Sequence, residues 1–222
     1  MTTVTDALGT MTPAIPDDHQ IRFTYDPGTG NLLTTTDPEA RVSQLAYDAA
    51  GNVATSTDAK LQPTTFTYDA MNRLRMVTDA LTQLTTYAYD AAGNLTLVTD
   101  ANTRQTQFAY DALNLLASTT NPRLETKAFF YDLNRNLARL RDAKGQTSTF
   151  GYDAANQLVS KALRDATATL QDTLTYAYDA LGNLALIQDG DSQLTFAYDA
   201  LGRLTSASTG APSGHATHQE SH

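Results

Sequence analysis

Nine aspartates each follow a tyrosine, at Asp26, Asp48, Asp69, Asp90, Asp111, Asp132, Asp153, Asp179 and Asp199. Carboxylates brought into register could serve as paired acids and bases or as a ladder of calcium ligands, and Asp189-Gly190-Asp191 has a faint likeness to a calcium loop. His215, His218 and His222 have the spacing of one helical face and could hold a metal if a helix formed there. Rows of tyrosine could stack on sugar rings, and Asn94-Leu95-Thr96 spells a glycosylation sequon. Each of these has a plainer competitor. An active site is one constellation in one perturbed environment, whereas these aspartates recur identically and have a backbone task, turn capping, in every copy. Pro212 and Gly214 oppose a helix just before the histidines, which reads as a solvated tail. The sequon falls in a hairpin corner, and the tyrosines suit a ladder between repeats better than a sugar platform. No nucleophile elbow, phosphate loop or His-Glu-x-x-His pair is written in the chain. The expectation is a protein with no catalytic residues, no cofactor, no metal ligands and no enzymatic activity.

The elements that carry these residues follow from composition. Of 24 acidic residues in 222, 21 are aspartate, the acid of turns, and three are glutamate, the acid of helices. The net charge of −9 therefore has a local cause and requires no cationic partner, while scarce basic clusters argue against nucleic acid. The chain has no cysteine, which removes disulfides and thiolate chemistry. No apolar run approaches the roughly 18 to 20 residues of a membrane-spanning helix, and no ordinary secretory signal is visible.

The Tyr-Asp tyrosines stand at Tyr25, Tyr47, Tyr68, Tyr89, Tyr110, Tyr131, Tyr152, Tyr178 and Tyr198, spaced by 22, 21, 21, 21, 21, 21, 26 and 20. So regular a period means one supersecondary unit stacked many times. Two residues before each tyrosine is another ring (Phe23, Phe66, Tyr87, Phe108, Phe129, Phe150, Tyr176, Phe196), except in the second copy, which has Leu45. Residues two apart share a face of a strand, so both rings point one way, and small residues such as Ala46, Thr67 and Ala88 point the other. Asp, two residues and then Gly or Asn spell a type I turn closed by a left-handed residue. Gly51, Gly93, Gly182, Gly202, Asn72, Asn114 and Asn156 fill that slot, with Arg135 as the exception. A second strand then opens at Leu32, Val53, Leu74, Leu95, Leu116, Leu137, Leu158, Leu184 or Leu204 and ends at another turn headed by Asp or Asn121. Each repeat reads strand, turn, strand, turn.

The expected organisation is a partial repeat with a Pro-containing loop over 1–20, nine repeats as one continuous β array over 21–208, and a polar tail over 209–222. The loop falls at Thr12 to Asp18. The words Val4-Thr5-Asp6-Ala7-Leu8 match Val77-Thr78-Asp79-Ala80-Leu81, so the chain opens in mid-repeat, and neither end reads as a cap. The spacing of 26 marks an insertion around Lys161 to Asp172, either a lengthened hairpin or a short helical turn.

The core Tyr198-Asp199-Ala200-Leu201-Gly202-Arg203-Leu204, repeated at this period, resembles the Rhs or YD-repeat family, which includes shells of bacterial polymorphic toxins, insecticidal toxin complexes and teneurins. The resemblance implies an all-β fold of tandem hairpins forming one long, curling antiparallel sheet that encloses a C-terminal toxic domain. Only 24 residues follow Tyr198, with no self-cleavage motif of the family's type, so what remains is wall rather than cargo. The function expected is a non-enzymatic segment of a β-shell that encloses or presents a toxin. The competing readings are an extracellular fibre or tube assembled end to end, and a glycan-binding adhesion module. Expected partners are further repeats, other copies of the chain, enclosed cargo or glycans. The expected location is outside the cell or at its surface, reached by a dedicated secretion route.

Overall fold

A chain with strand alternation in every segment and turn residues between segments can satisfy its backbone only by pairing each strand with the next. The computed structural model describes residues 2–5 and 20–211, and among them it contains strands and turns but no helix. The expected loop at 12–18, Asp6 and the histidine tail lie outside the described residues.

Two compact units divide the chain, residues 1–107 and 108–222. The first holds β1 (Thr2–Thr5), β2 (Gln20–Tyr25), β3 (Leu32–Thr36), β4 (Val42–Tyr47), β5 (Val53–Thr57), β6 (Pro63–Tyr68), β7 (Leu74–Thr78), β8 (Leu84–Tyr89) and β9 (Leu95–Thr99). β10 (Gln105–Tyr110) spans the boundary. The second holds β11 (Leu116–Thr120), β12 (Thr126–Tyr131), β13 (Leu137–Arg141), β14 (Thr147–Tyr152), β15 (Leu158–Arg164), β16 (Leu170–Tyr178), β17 (Leu184–Gln188), β18 (Gln193–Tyr198) and β19 (Leu204–Gly210). Within each unit all pairing is antiparallel and joins strands adjacent in sequence. β1 pairs with β2, Val4 opposite Ile21, as the second strand of one hairpin pairs with the first of the next.

The register sorts side chains onto two faces. Leu45 opposes Ser56 and Tyr47 opposes Val53 across β4 and β5, and Phe66 opposes Val77 and Tyr68 opposes Leu74 across β6 and β7. The corner tyrosines, the residues two before them and the residues that open the second strands thus share one face. Ala46 opposite Thr55 and Thr67 opposite Met76 lie on the other, which is dominated by Thr, Ala, Ser and Gln. The Tyr-Asp hairpins at Tyr25, Tyr47, Tyr68, Tyr89, Tyr131, Tyr152, Tyr178 and Tyr198 slip register by one residue just before the tyrosine, as between Ala46 and Tyr47, a bulge that bends the strand and increases its twist.

No described residue is buried. Along β6 and β10 exposed and half-buried residues alternate, the rings being half-buried. The ring ladder is half-buried: in each unit neighbouring strands cover a ring from its sides and, among the described residues, no second layer covers it from above.

Departures from the period of 21 have local causes. The first corner is one residue longer, with Asp26 N–H donating to Asn31 O at 2.8 Å and Gly30 N–H to Asp26 O at 2.9 Å. The insertion is a lengthened hairpin, not a helical turn: β15 has seven residues and β16 nine, against five and six in β5 and β6, which adds two and three. The spacing of 20 comes from a shortened turn, where Asp189 N–H reaches Ser192 O at 3.0 Å.

Candidate functional site: the Tyr-Asp corners

A hairpin corner leaves several backbone N–H groups pointing into the bend, and an aspartate at its first position can gather them. Asp48 shows the arrangement. Its N–H donates to Asn52 O at 2.9 Å and its carbonyl accepts from Gly51 N–H at 3.1 Å, with Gly51 at φ +86°. Its Oδ1 accepts from the N–H groups of Ala50 and Asn52, both at 2.9 Å, and its Oδ2 accepts from Asn52 Nδ2 at 3.1 Å. The left-handed slot holds Asn72, Asn114 and Asn156 as expected, and Arg135 adopts it as well, at φ +68°.

In the corners headed by Asp48, Asp69, Asp90, Asp132, Asp179 and Asp199 the residue four after the aspartate supplies a side-chain donor as well, a role not read from the sequence although the alternation of Asn and Arg there was its signal. Arg73 donates through Nε to Asp69 Oδ2 at 2.7 Å, and Asn94 and Asn183 donate to Asp90 and Asp179, both at 2.9 Å. The Asn52 amide and then its backbone N–H hold the Asp48 carboxyl below its ordinary value. Arg73 does the same for Asp69, Asn94 for Asp90 and Asn183 for Asp179. Carboxylates so supplied with donors stay ionised and make poor bases.

Corners also grip one another. Asn52 Nδ2 donates to Asn72 Oδ1 at 3.1 Å, Asn136 Nδ2 to Asn156 Oδ1 at 2.8 Å, and Arg73 lies 4.5 Å above the Tyr89 ring while reaching Asp90 O at 3.3 Å. The tyrosine hydroxyl is the second feature that sequence reasoning missed. Tyr47 donates to Leu32 O at 2.8 Å, Tyr68 to Val53 O at 2.9 Å and Tyr89 to Leu74 O at 2.8 Å. Tyr131, Tyr152, Tyr178 and Tyr198 do the same to Leu116, Leu137, Leu158 and Leu184. The acceptor is always the first residue of the preceding second strand, where the bulge interrupts the ladder. Each of these seven tyrosines therefore ties one hairpin to the one before it.

The other candidates resolve similarly. Asp189 Oδ1 accepts from the N–H groups of Asp191 and Ser192 at 2.9 and 2.6 Å, so it caps its own turn. Among the described residues no group of three or more His, Asp or Glu is placed to hold a metal ion.

The RHS Repeat family profile matches residues 25–62, 47–83, 74–104, 89–126, 131–169 and 178–216. The chain belongs to the RHS repeat family. Its corners are thus the repeated structural element of that family, and its role is that of a structural repeat. A comparison with curated protein sequences gave no match. Among solved structures it is similar to the crystal structure of TcdB2-TccC3-TEV, with a TM-score of 0.72 and 19% identity over 87% of this chain and 11% of that one. The crystal structure of TcdB2-TccC3 without its hypervariable C-terminal region gives a TM-score of 0.51 and 16% identity over 85% of this chain and 15% of that one. A Tc holotoxin pore of Photorhabdus luminescens gives 0.50 and 16% over the same shares. At these identities the likeness is one of fold, and the RHS chain spans 11% of the length of the first of them.

Proposed function

We propose that this chain is a non-enzymatic wall segment that encloses or presents toxin cargo, reaching the cell exterior or surface by a dedicated secretion route. The observation that carries the reading is a one-layer sheet in each unit, with rings on one face, Thr and Ala on the other, and no described residue buried. Such a sheet separates two environments and has no interior of its own in which to build a catalytic pocket. The corner carboxylates support the same reading, because their donors are spent on bends. Partners follow from shape: further RHS repeats along the strip and a cargo against one face, as the toxin-complex relatives suggest.

End-to-end assembly into a fibre or tube is favoured by one observation, that all seven residues of β19 are exposed. Negative-stain images of the purified chain over a concentration series decide between them. Discrete one-layer particles, curved or closed and constant in size, are the expected result. Fibres that lengthen with concentration would overturn the wall reading.

A further inference from the structure

One stretch of the chain reverses its charge. Residues 123–164 hold eight of the 15 Lys and Arg but four of the 24 acids, a local balance of +4 in a protein of −9. The same stretch breaks the pattern of the small-residue face. One position before the corner tyrosine the other copies carry Ala, Thr or Gly, as at Ala88, Ala109 and Gly151, whereas the sixth carries Phe130, which is 41% exposed. Register sets three arginines beside it: Phe130 opposes Arg139, and Thr147 stands between Arg141 and Arg164, so all four side chains lie on the face opposite the corner tyrosines. Arg41, Arg73 and Arg203 form ion pairs at their own bends, but among the described residues Arg139, Arg141 and Arg164 pair with no carboxylate. All three are exposed. Neither Asp nor Glu stands in β12, β13, β14 or β15. The nearby bend carboxylates already have donors, Asp142 Oδ1 accepting from Gln146 N–H at 2.8 Å and Asp165 Oδ1 from Thr169 N–H at 2.9 Å.

We propose that this face of β12–β15 is a docking surface for an extended, acidic polypeptide segment. Charge complementarity sets the sign of the partner, and strand geometry sets its form. Arg139 and Arg141 stand about 7 Å apart along β13, the same repeat as alternate side chains of any extended chain, so an Asp-x-Asp stretch offers one carboxylate to each. Arg164, about 10 Å from Arg141 across β14, adds attraction from the side. Guanidinium forks suit carboxylates, which they can grip with two parallel hydrogen bonds. The Arg139 guanidinium lies 4.0 Å above the Phe130 ring, and Arg164 Nη1 donates to Ala168 O at 3.2 Å, so two of the three forks are held in place and lose less freedom on pairing. A long polyanion such as a nucleic acid fits less well. The strands after the patch and their bends carry Asp172, Asp179, Asp189, Asp191 and Asp199 against Arg203, so a phosphate track running on across them meets like charge. Only the identity of the segment as cargo rests on the wall reading; the docking itself does not, and it is measured apart from particle shape, so either can fail alone.

The test is fluorescence anisotropy of a labelled peptide of alternating Asp and Ser titrated with the full chain, beside the same peptide with Asn for Asp and a labelled oligothymidylate of equal length. The Asp peptide is expected to bind at about 0.05 M salt and to be released by about 0.5 M, while the Asn peptide stays free. The triple variant Arg139→Gln, Arg141→Gln, Arg164→Gln, with its β-type circular dichroism unchanged, is expected to weaken binding at least tenfold. Arg141→Gln alone, expected to weaken it at least twofold, serves if the triple variant folds poorly. Arg75→Gln with Arg104→Gln, away from the patch, should leave binding unchanged. No binding of the Asp peptide, equal binding of the Asn peptide, undiminished binding by a folded patch variant, or tighter binding of the oligothymidylate would overturn the proposal.

Discussion

At the scale of the residue, the aromatic two residues before the corner and the tyrosine at the corner do different work. The first supplies area alone, which Phe can do; the second also supplies a donor to the carbonyl at the bulge. Tyr68→Phe and Tyr152→Phe are therefore expected to lower stability by about 0.5–1.5 kcal/mol each, the net value of a hydrogen bond, in denaturant unfolding. Tyr87→Phe, in the slot where most copies already carry Phe, should change it by less than about 0.5 kcal/mol. The corner carboxylates also set a pH dependence. Asp48, Asp69, Asp90 and Asp179 have lowered values in the folded chain. Their contribution is fully present above the unfolded aspartate value of about 3.9 and is lost as pH falls through the lower folded values. Thermal melts should hold level from about pH 7 to 5 and drop below about pH 4; melts that rise on acidification would contradict the capping role.

At the scale of the element, the two bends of each repeat share one geometry but not one sequence logic. Tyr-Asp corners other than that of Arg135 place Gly or Asn in the left-handed position, which made them legible. The opposite bends also use a left-handed residue, yet apart from Gly145 they place Ala40, Leu61, Thr82, Thr103, Leu124 and Ala168 there, with φ between +61° and +66°. These residue types resist that conformation, so nothing in the letters announced it, and only the aspartate at the head of each bend hinted at the shared form. In the bend at Asp79 the carboxylate accepts the N–H groups of Leu81 and Gln83 at 2.9 and 2.8 Å, which offsets the strain. Thr82→Gly and Thr103→Gly are expected to raise stability by about 0.5–1 kcal/mol, and Gly93→Ala to lower it by about as much, measured by urea unfolding. Strand alternation, corner turns and repeat boundaries could be read because each rests on local spacing. The tyrosine hydroxyl bonds could not, because they depend on what the neighbouring hairpin places opposite.

At the scale of the whole molecule, the unit of tolerance should be the repeat. Deleting residues 69–89 joins Tyr68 to Asp90 and keeps every face and every strand direction. The shortened chain is expected to retain a β-type circular dichroism spectrum and cooperative unfolding. Deleting residues 69–79 removes β7 alone and leaves β6 running into β8, two strands that would need to lie parallel without a crossover; that chain is expected to aggregate. Within each unit a strand touches only the strands before and after it. Each hairpin can therefore close as soon as its own letters have left the ribosome, without waiting for a distant segment, since local closure is the fast kind. Nascent chains arrested about 40 residues beyond Tyr110 should already protect the hairpins before it from protease, and digestion of those early hairpins at every arrest point would contradict it. A protein made this way grows finished from its first syllable, in the manner of knitting.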